Sequence, residues 1–226
     1  MNKKVLLLCG SPKDGKRSAC AVIGERFLIQ LRRKNFSAEM RSIGRLIKTE
    51  DGVEKLDALI CRSDIIVFIS PVYLDTVPSS VTRLMELSIR KKYFTGTQKI
   101  LAAVSVCGYP ESFHNDTALM VYKQFAHEAG LRWAGGIAIG QGPAYVYAQS
   151  IFRILGIYRK MDRAFDVAAQ AFDEDTDIPE GAACITRRSI IPDRVYTFVA
   201  ILIVRLLSAK CGAWNLCKRP YERSAS

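Results

Sequence analysis

Short runs of apolar residues alternate along the chain with longer stretches in which apolar residues recur every three or four positions. Continuous, β-branched runs are typical of strands that helices cover on both faces. They predict strands at residues 5–9, 38–43, 65–69, 99–106 and 133–139. The longer stretches predict helices at residues 17–34, 53–62, 79–90, 116–130 and 145–172, the last in two pieces about Gly156. This order predicts an α/β fold with an open, doubly wound, five-stranded parallel sheet.

The character of the sequence changes after residue 172. An acidic loop is predicted at residues 173–181, a strongly apolar helix at 194–210, and an aromatic, basic tail at 212–226. We therefore expect a domain of residues 1–172 and a helical C-terminal extension, residues 173–226, that packs on the same domain. Pro78 is expected at the entrance of the helix over residues 79–90. Either Ser79 or Ser80 is expected to cap this helix.

The apolar run at residues 195–204 is shorter than the roughly 20 residues of a membrane-spanning helix, and Arg205 interrupts it. A buried helix or a dimer surface is the favoured interpretation, and membrane attachment is the alternative. The basic N-terminus precedes only about five apolar residues, fewer than a signal peptide has. We therefore expect a cytoplasmic protein.

The charge and cysteine content exclude several classes of protein. The net charge of +11 comes from 33 Lys and Arg against 22 Asp and Glu, in short basic groups spread over the whole length. No nucleic-acid recognition motif accompanies them, so the charge indicates solvated helix faces and an anion site rather than nucleic acid. The seven cysteines include no C-x-x-C pair, which favours reduced thiols and argues against a metal site.

The stretch CGSPKDGKRS, residues 9–18, follows the first predicted strand and is typical of a phosphate-binding loop. A triphosphate loop needs Ser or Thr directly after its Lys, but Arg17 follows Lys16 here. The third strand also ends in Ser-Pro rather than in an acidic residue that could help to hold magnesium. A single phosphate needs only helix N–H groups, hydroxyls and positive charge, which Ser11, Lys13 and Ser18 help to supply.

The loop after the third strand, S-P-V-Y-L-D-T-V-P at residues 70–78, is the more specific signal. Together with G-S-P-x(6)-S after the first strand, it resembles the loops of the flavodoxin-like NAD(P)H-dependent flavin reductases. The order and separation of the two motifs also resemble that family, over about the first 140 residues. The resemblance implies a flavodoxin-like fold.

The resemblance further implies a set of FMN-binding residues. Ser11, Lys13, Arg17 and Ser18 would surround the FMN phosphate, and Pro71, Val72 and Tyr73 would border the isoalloxazine ring. The loop after the fourth strand, with Cys107, Gly108 and Tyr109, would line the other side of the ring. Gly108 would allow a close backbone approach, and Tyr109 could stack on the ligand. His114, in the same loop, could also touch it.

The resemblance implies an NAD(P)H oxidoreductase that passes electrons from NADPH or NADH through FMN to a quinone, a nitro compound, a flavin or a protein. The flavin carries the hydride chemistry, so no side chain is expected to be catalytic. A small-molecule acceptor and a homodimer are the expected partners. The alternatives are a flavodoxin-type electron carrier without pyridine-nucleotide activity and a triphosphate-binding protein. The acidity typical of flavodoxins argues against the first.

Overall fold

The computed structural model of the chain describes residues 2–13, 18–147, 156 and 158–210. Its strands form one parallel sheet in the order β2-β1-β3-β4-β5. They are β1 (Lys4–Cys9), β2 (Ser37–Ser42), β3 (Ile65–Pro71), β4 (Ile100–Val106) and β5 (Arg132–Ile139). Because β2 and β3 lie on opposite sides of β1, the strand order reverses between β1 and β3. The predicted doubly wound, flavodoxin-like α/β fold is confirmed.

The described helices connect these strands and continue beyond them. They are α1 (Ala19–Arg33), α2 (Ile43–Leu46), α3 (Glu50–Cys61), α4 (Ser79–Arg90), α5 (Asp116–Glu128), α6 (Ala144–Tyr147), α7 (Tyr158–Asp173), α8 (Glu180–Arg187) and α9 (Asp193–Lys210). A 3₁₀ turn, Ser112–Asn115, precedes α5. The short helices α2 and α8 were not predicted. Ile43, predicted to end a strand, instead begins α2 after the N-cap Ser42.

One face of the sheet packs against α3, α4 and α5. Leu6, Leu8 and Phe68 point to this face because alternate residues of a strand share a side. The Phe68 ring lies 5.2 Å from the ring of Tyr122 in α5. The Tyr122 and Ser70 hydroxyls, both buried, are 2.6 Å apart and form a hydrogen bond. This bond ties α5 to the carboxyl end of β3, and burial raises the pKa of Tyr122.

The other face is covered by α1 and α7. The Phe27 and Phe165 rings stack with centroids 4.5 Å apart. Beside them, Arg26 forms a bidentate ion pair with Asp162 and lies 4.3 Å over the Tyr158 ring. These contacts fix α1, whose N-terminus lies at the end of β1.

The start of α4 differs from the prediction. Pro78 is the N-cap residue, and neither Ser79 nor Ser80 caps the helix with its side chain. The Ser80 hydroxyl instead donates to the Gly10 carbonyl at 3.4 Å. The φ of Pro78, −63°, is the value that its ring imposes, so proline can occupy this position. The N-cap therefore lies one residue before Ser79, whereas the helix itself spans the predicted residues 79–90.

The chain divides into two compact units, Met1–Ile190 and Ile191–Ser226. The first unit runs past residue 172, where the sequence changes character, and includes α8. The described helix of the second unit, α9, has no buried residue. The packing of residues 195–204 on the rest of the chain, or in a dimer, stays a prediction. No helix of the described residues is long and apolar enough to cross a membrane.

Candidate functional site

A cavity of about 280 Å³ opens at the carboxyl edge of the sheet. Its lining residues come from the last residues of β3 and β4 and from the segments that follow β1, β3, β4 and β5, and therefore span the point where the strand order reverses. Ligands of doubly wound proteins bind in this position. The lining residues are Ser11, Lys13, Ser18, Ala19, Cys20, Pro71, Val72, Tyr73, Val106, Cys107, Gly108, Gly142, Pro143, Val146 and Tyr147.

The segment after β1 supplies what we call the polar wall: Ser11, Lys13, Ser18, Ala19 and Cys20. Ser11 and Ser18 are buried, whereas Lys13 is exposed. The Ser11 hydroxyl accepts a hydrogen bond from the Lys13 amide at 3.2 Å. The Ser18 hydroxyl accepts one from the Ala21 amide at 3.3 Å and so caps α1.

The N-terminus of α1 adds backbone donors to this wall. The first amides of a helix have no intrahelical partners, and the Ser18 cap satisfies only that of Ala21. Among the residues that the structure describes, the amides of Ala19 and Cys20 have no hydrogen-bond acceptor, and they lie at the positive end of the helix dipole. The first turn of α1 carries no acidic residue that would oppose an anion.

Gly10 allows the loop of the polar wall to begin close to β3 and α4. The Gly10 amide donates to the Ile69 carbonyl at 2.8 Å, which holds the start of the loop against β3. A Cβ at Gly10 would lie 2.4 Å from Val81 Cγ2 and 3.0 Å from Ser70 Cβ. Any other residue would push the loop away from α4.

The ends of β3 and β4, with the segments after β3, β4 and β5, form the apolar wall: Pro71, Val72, Tyr73, Val106, Cys107, Gly108, Gly142, Pro143, Val146 and Tyr147. Tyr73 begins a tight hairpin in which its amide donates to the Thr76 carbonyl at 2.9 Å and the Thr76 amide donates back at 3.2 Å. The two residues between them, Leu74 and Asp75, have φ of 50° and 59°. A type I′ turn requires positive φ at both of these positions, and a bulky leucine adopts it at a cost in strain.

The connections after β4 and β5 meet across the wall. The Gly142 amide donates to the Cys107 carbonyl at 2.8 Å. A Cβ at Gly142 would lie 2.8 Å from Val106 Cγ1 and 3.0 Å from the Cys107 oxygen, so only glycine allows this approach. A Cβ at Gly108 would meet only Pro143 Cδ, at 4.0 Å, and its backbone thus borders open space.

Two buried cysteines line the cavity as protonated thiols. Burial raises the pKa of Cys20 and the pKa of Cys107 above the ordinary thiol value. The Cys107 thiol donates to the Glu111 carbonyl at 3.4 Å. Because the thiolate is the nucleophilic form, neither residue is suited to nucleophilic chemistry near neutral pH. Burial also raises the pKa of Tyr73.

The structure brings most of the predicted site residues together around this one cavity: Ser11, Lys13, Ser18, Pro71, Val72, Tyr73, Cys107 and Gly108. Arg17 lies outside the described residues. Tyr109 is not among the lining residues; its exposed ring is 4.5 Å from the ring of His114. His114 in turn approaches Asp75, with Nδ1 3.5 Å from Oδ1.

Gly142, Pro143, Val146 and Tyr147 were not predicted as site residues. The sequence carried one signal for them, the Gly-x-Gly-Pro break that follows the fifth strand. In a parallel sheet this break lies at the same edge as the phosphate loop. The contact of Gly142 with the end of β4 depends on the pairing of β4 with β5, which only the structure shows.

Solved structures with the same fold include several reductases at low sequence identity. An NAD(P)H:quinone oxidoreductase from Methanothermobacter marburgensis has a TM-score of 0.56 and 13% identity, covering 76% of this chain and 97% of that one. A flavone reductase has a TM-score of 0.55 and 12% identity, covering 82% and 70%. An apo NADH:FMN oxidoreductase has a TM-score of 0.53 and 13% identity, covering 84% and 97%. At these identities the likeness shows the fold alone.

Residues 3–127 match a family model described as NADPH-dependent FMN reductase, whereas no curated protein matches the chain. The matched segment contains both loop motifs and the strand ends that form most of the cavity. The resemblance inferred from these loops is confirmed, and the alternatives of a simple electron carrier and a triphosphate-binding protein are not supported. Since the match covers more than half of the chain, this protein belongs to the NADPH-dependent FMN reductase family and is an NAD(P)H-dependent flavin oxidoreductase with FMN as its cofactor.

Proposed function

We propose that the cavity at the carboxyl edge of the sheet holds FMN, with the phosphate at the polar wall and the isoalloxazine ring along the apolar wall. The observation that carries this proposal is the chemical division of the cavity. Hydroxyls, a lysine and a helix N-terminus lie at one end, and proline, valine and glycine lie at the other.

The polar wall suits a phosphate monoester. Such a group is an anion with several acceptor oxygens, so it needs donors and positive charge. Ser11 and Ser18 offer hydroxyl donors, Lys13 offers a cation, and the first amides of α1 offer backbone donors. Lys16 and Arg17 follow in the same loop of the sequence, and we retain Arg17 as a predicted phosphate ligand.

The apolar wall suits a flat ring. At Gly108 a side chain would occupy open space beside Pro143, so the absence of a Cβ leaves room for a planar group close to the backbone. Pro71 and Val72 offer an apolar border for the ring. Tyr73 lies at the edge of this border. Cys107, as a neutral thiol, adds no charge to this side.

FMN supplies the hydride chemistry, and the chain supplies binding, orientation and exclusion of water. The two aromatic residues at the mouth, Tyr73 and Tyr147, are 46% and 79% exposed. They can contact a flat donor or acceptor that enters there. We propose NADPH or NADH as the donor and a quinone, a nitro compound, a free flavin or a protein as the acceptor. The homodimer stays a prediction, to be tested by sizing chromatography.

The first experiment is a fluorescence titration of FMN into flavin-stripped protein, with variants that probe each wall. Ser18→Asp retains a residue that caps helices well but places a negative charge at the polar wall. We expect it to weaken FMN binding by at least about tenfold, because one unfavourable charge interaction of 1.4 kcal/mol has that effect. Thr49→Asp makes the same exchange at the N-cap of α3, away from the cavity, and should bind FMN like the wild type.

The apolar wall is tested by Tyr73→Ala, which should weaken FMN binding without changing the fold. Wild-type affinity in both Ser18→Asp and Tyr73→Ala would overturn the proposed orientation of FMN. Oxidation of NADH and of NADPH by the loaded protein, with one acceptor of each class, then identifies the preferred donor and acceptor. Loss of NAD(P)H oxidation in Tyr73→Ala at saturating FMN would show that this residue also orients the donor.

A further inference from the structure

Helix α9, Asp193–Lys210, presents apolar side chains on every side. Ile201, Leu202, Ile203 and Val204 follow one another in the chain and are 48%, 48%, 41% and 52% exposed. Successive residues of an α-helix are rotated by about 100°, so these four side chains together cover roughly 300° of its circumference. Phe198, one turn earlier, is 70% exposed.

Such a helix needs an apolar environment that surrounds it. A helix that is hydrophobic all round is typical of a protein core or a membrane. A second copy of the same helix would cover one stripe along it, as in a coiled coil, and would leave the remaining apolar side chains in water. Acyl chains of a lipid layer can contact the helix on several sides at once.

The charged residues of this unit favour one kind of lipid surface. Arg194 and Lys210 are exposed near the two ends of α9, Arg205 is exposed within its last turns, and Asp193 is the acidic residue of the helix. Long basic side chains can keep their charge at the headgroups while their stems lie along apolar surface. The sequence after residue 210 adds Lys218, Arg219 and Arg223 against Glu222.

We propose that α9 anchors the protein to the surface of an anionic phospholipid bilayer. The apolar turns lie below the headgroups among the acyl chains, which surround them, and the basic residues of the helix contact lipid phosphates. The helix does not span the bilayer, in agreement with the finding that no described helix is long and apolar enough to do so. This anchoring does not depend on FMN and leaves the cavity residues uninvolved.

The test is co-sedimentation of the full-length protein with vesicles of phosphatidylcholine alone or of phosphatidylcholine with phosphatidylglycerol. We expect binding to the anionic vesicles that weakens as the salt concentration rises, because salt screens the charge attraction. Ile201→Asp with Val204→Asp should reduce binding more than about tenfold. Met120→Asp, a change at an exposed apolar residue of α5, is the matched control and should leave binding unchanged.

A second pair of variants tests the charge. Arg194→Gln with Arg205→Gln should weaken binding to anionic vesicles by roughly fivefold for each residue removed. Arg83→Gln with Arg90→Gln, which alters two exposed arginines of α4, is the control. FMN titration and circular dichroism on the same preparations show whether each variant is folded, and they keep this result separate from the test of the flavin site.

Three outcomes would overturn the proposal. One is no binding of the wild type to anionic vesicles, and another is equal binding by the wild type and the Ile201→Asp, Val204→Asp variant. The third is a wild-type dimer in lipid-free solution that the same variant converts to monomers, without any vesicle binding. That result would assign α9 to an interface between two copies of the chain.

Discussion

The two walls of the cavity are built in different ways. The polar wall comes from one stretch of chain, the turn from β1 into α1, and its hydroxyls hold their own backbone through the Ser11 and Ser18 hydrogen bonds. The apolar wall comes from three connections that meet only because β3, β4 and β5 are neighbours in the sheet. Its shape depends on close backbone contacts such as that of Gly142 with Cys107.

The two walls therefore contribute different properties to the cavity: the polar wall supplies hydrogen-bonding groups, and the apolar wall sets the shape. A change in the polar wall removes a donor or a helix cap and leaves the space of the cavity nearly intact. A change in the apolar wall alters how closely two connections approach each other. We therefore expect variants of the polar wall to act through local hydrogen bonds, and variants of the apolar wall to act through packing.

The largest effect on stability is expected for Gly142→Ala. The new Cβ would lie 2.8 Å from Val106 Cγ1 and 3.0 Å from the Cys107 carbonyl oxygen, and neither buried group can move freely. Overpacking of this kind lowers the free energy of unfolding by about 1–3 kcal/mol. Urea denaturation measures the loss, and FMN titration should show weaker binding because Pro143 must shift.

Gly44→Ala is the matched control for this variant. A Cβ at Gly44 would meet no atom within 4 Å, and the residue lies in the short helix α2. Alanine is favoured over glycine in helices, so stability should stay equal or rise slightly. Wild-type stability in Gly142→Ala would show that the connection after β5 can adjust, and that the apolar wall is not set by packing.

A smaller effect is expected for Ser18→Ala in the polar wall. Removal of the cap on α1 should lower the free energy of unfolding by about 1 kcal/mol. Thr49→Ala removes the corresponding cap of α3, where Thr49 Oγ1 accepts from the Gly52 amide at 3.1 Å, and should cost a similar amount. Only Ser18→Ala should also weaken FMN binding. Equal affinities in the two variants would remove the Ser18 hydroxyl from the flavin site.

The sequence predicted the polar wall better than the apolar wall, because the polar wall comes from one stretch of chain and the apolar wall from three connections. Ser11, Lys13 and Ser18 lie within one turn of chain, so a local motif contains their spatial relation. The β3 loop is equally local, and its Ser-Pro-Val-Tyr stretch placed Pro71, Val72 and Tyr73 at the correct edge. Strand periodicity sufficed for the sheet, since buried parallel strands are continuous apolar runs.

The parts of the site that the sequence did not predict depend on contacts between segments that are distant in the chain. Nothing near Gly142 in the sequence indicates that its amide reaches Cys107. Tyr109 is adjacent to a lining residue, but its ring lies against His114, and the direction of a loop side chain does not follow from position alone. The helix α8 was missed because it is short and lies next to an acidic loop, where the apolar spacing is weak.

The buried thiols of the two walls give a prediction for alkaline pH. Burial raises the pKa of Cys20 and of Cys107, so in the folded protein both keep their protons above about pH 9, where unfolded thiols lose them. The unfolded state then binds fewer protons, and the free energy of unfolding should fall as pH rises. Urea denaturation between neutral pH and pH 10 measures the slope, and Cys107→Ala should make it shallower.

Alkylation by iodoacetamide provides an independent measurement on the same thiols. Cys184 is exposed, whereas Cys20 and Cys107 are buried. Peptide mapping at pH 8 should therefore show that Cys184 reacts before the two cavity thiols, which should react slowly. Rapid labelling of Cys107 would mean that the apolar wall opens often in solution.

The smallest change in stability is expected for Gly108→Ala. This variant distinguishes the contribution of the apolar wall to stability from its contribution to FMN binding. The new methyl group would meet only Pro143 Cδ, at 4.0 Å, so the free energy of unfolding should stay within about 0.5 kcal/mol of the wild type. The same methyl would occupy the space proposed for the ring, and FMN affinity should fall by about tenfold, the equivalent of 1.4 kcal/mol. If Gly108→Ala bound FMN as tightly as the wild type, the ring would not lie against this loop. Unchanged stability together with weaker FMN binding would show that Gly108 is needed for the ligand. The shape of the wall at this position would then serve FMN binding rather than the stability of the fold.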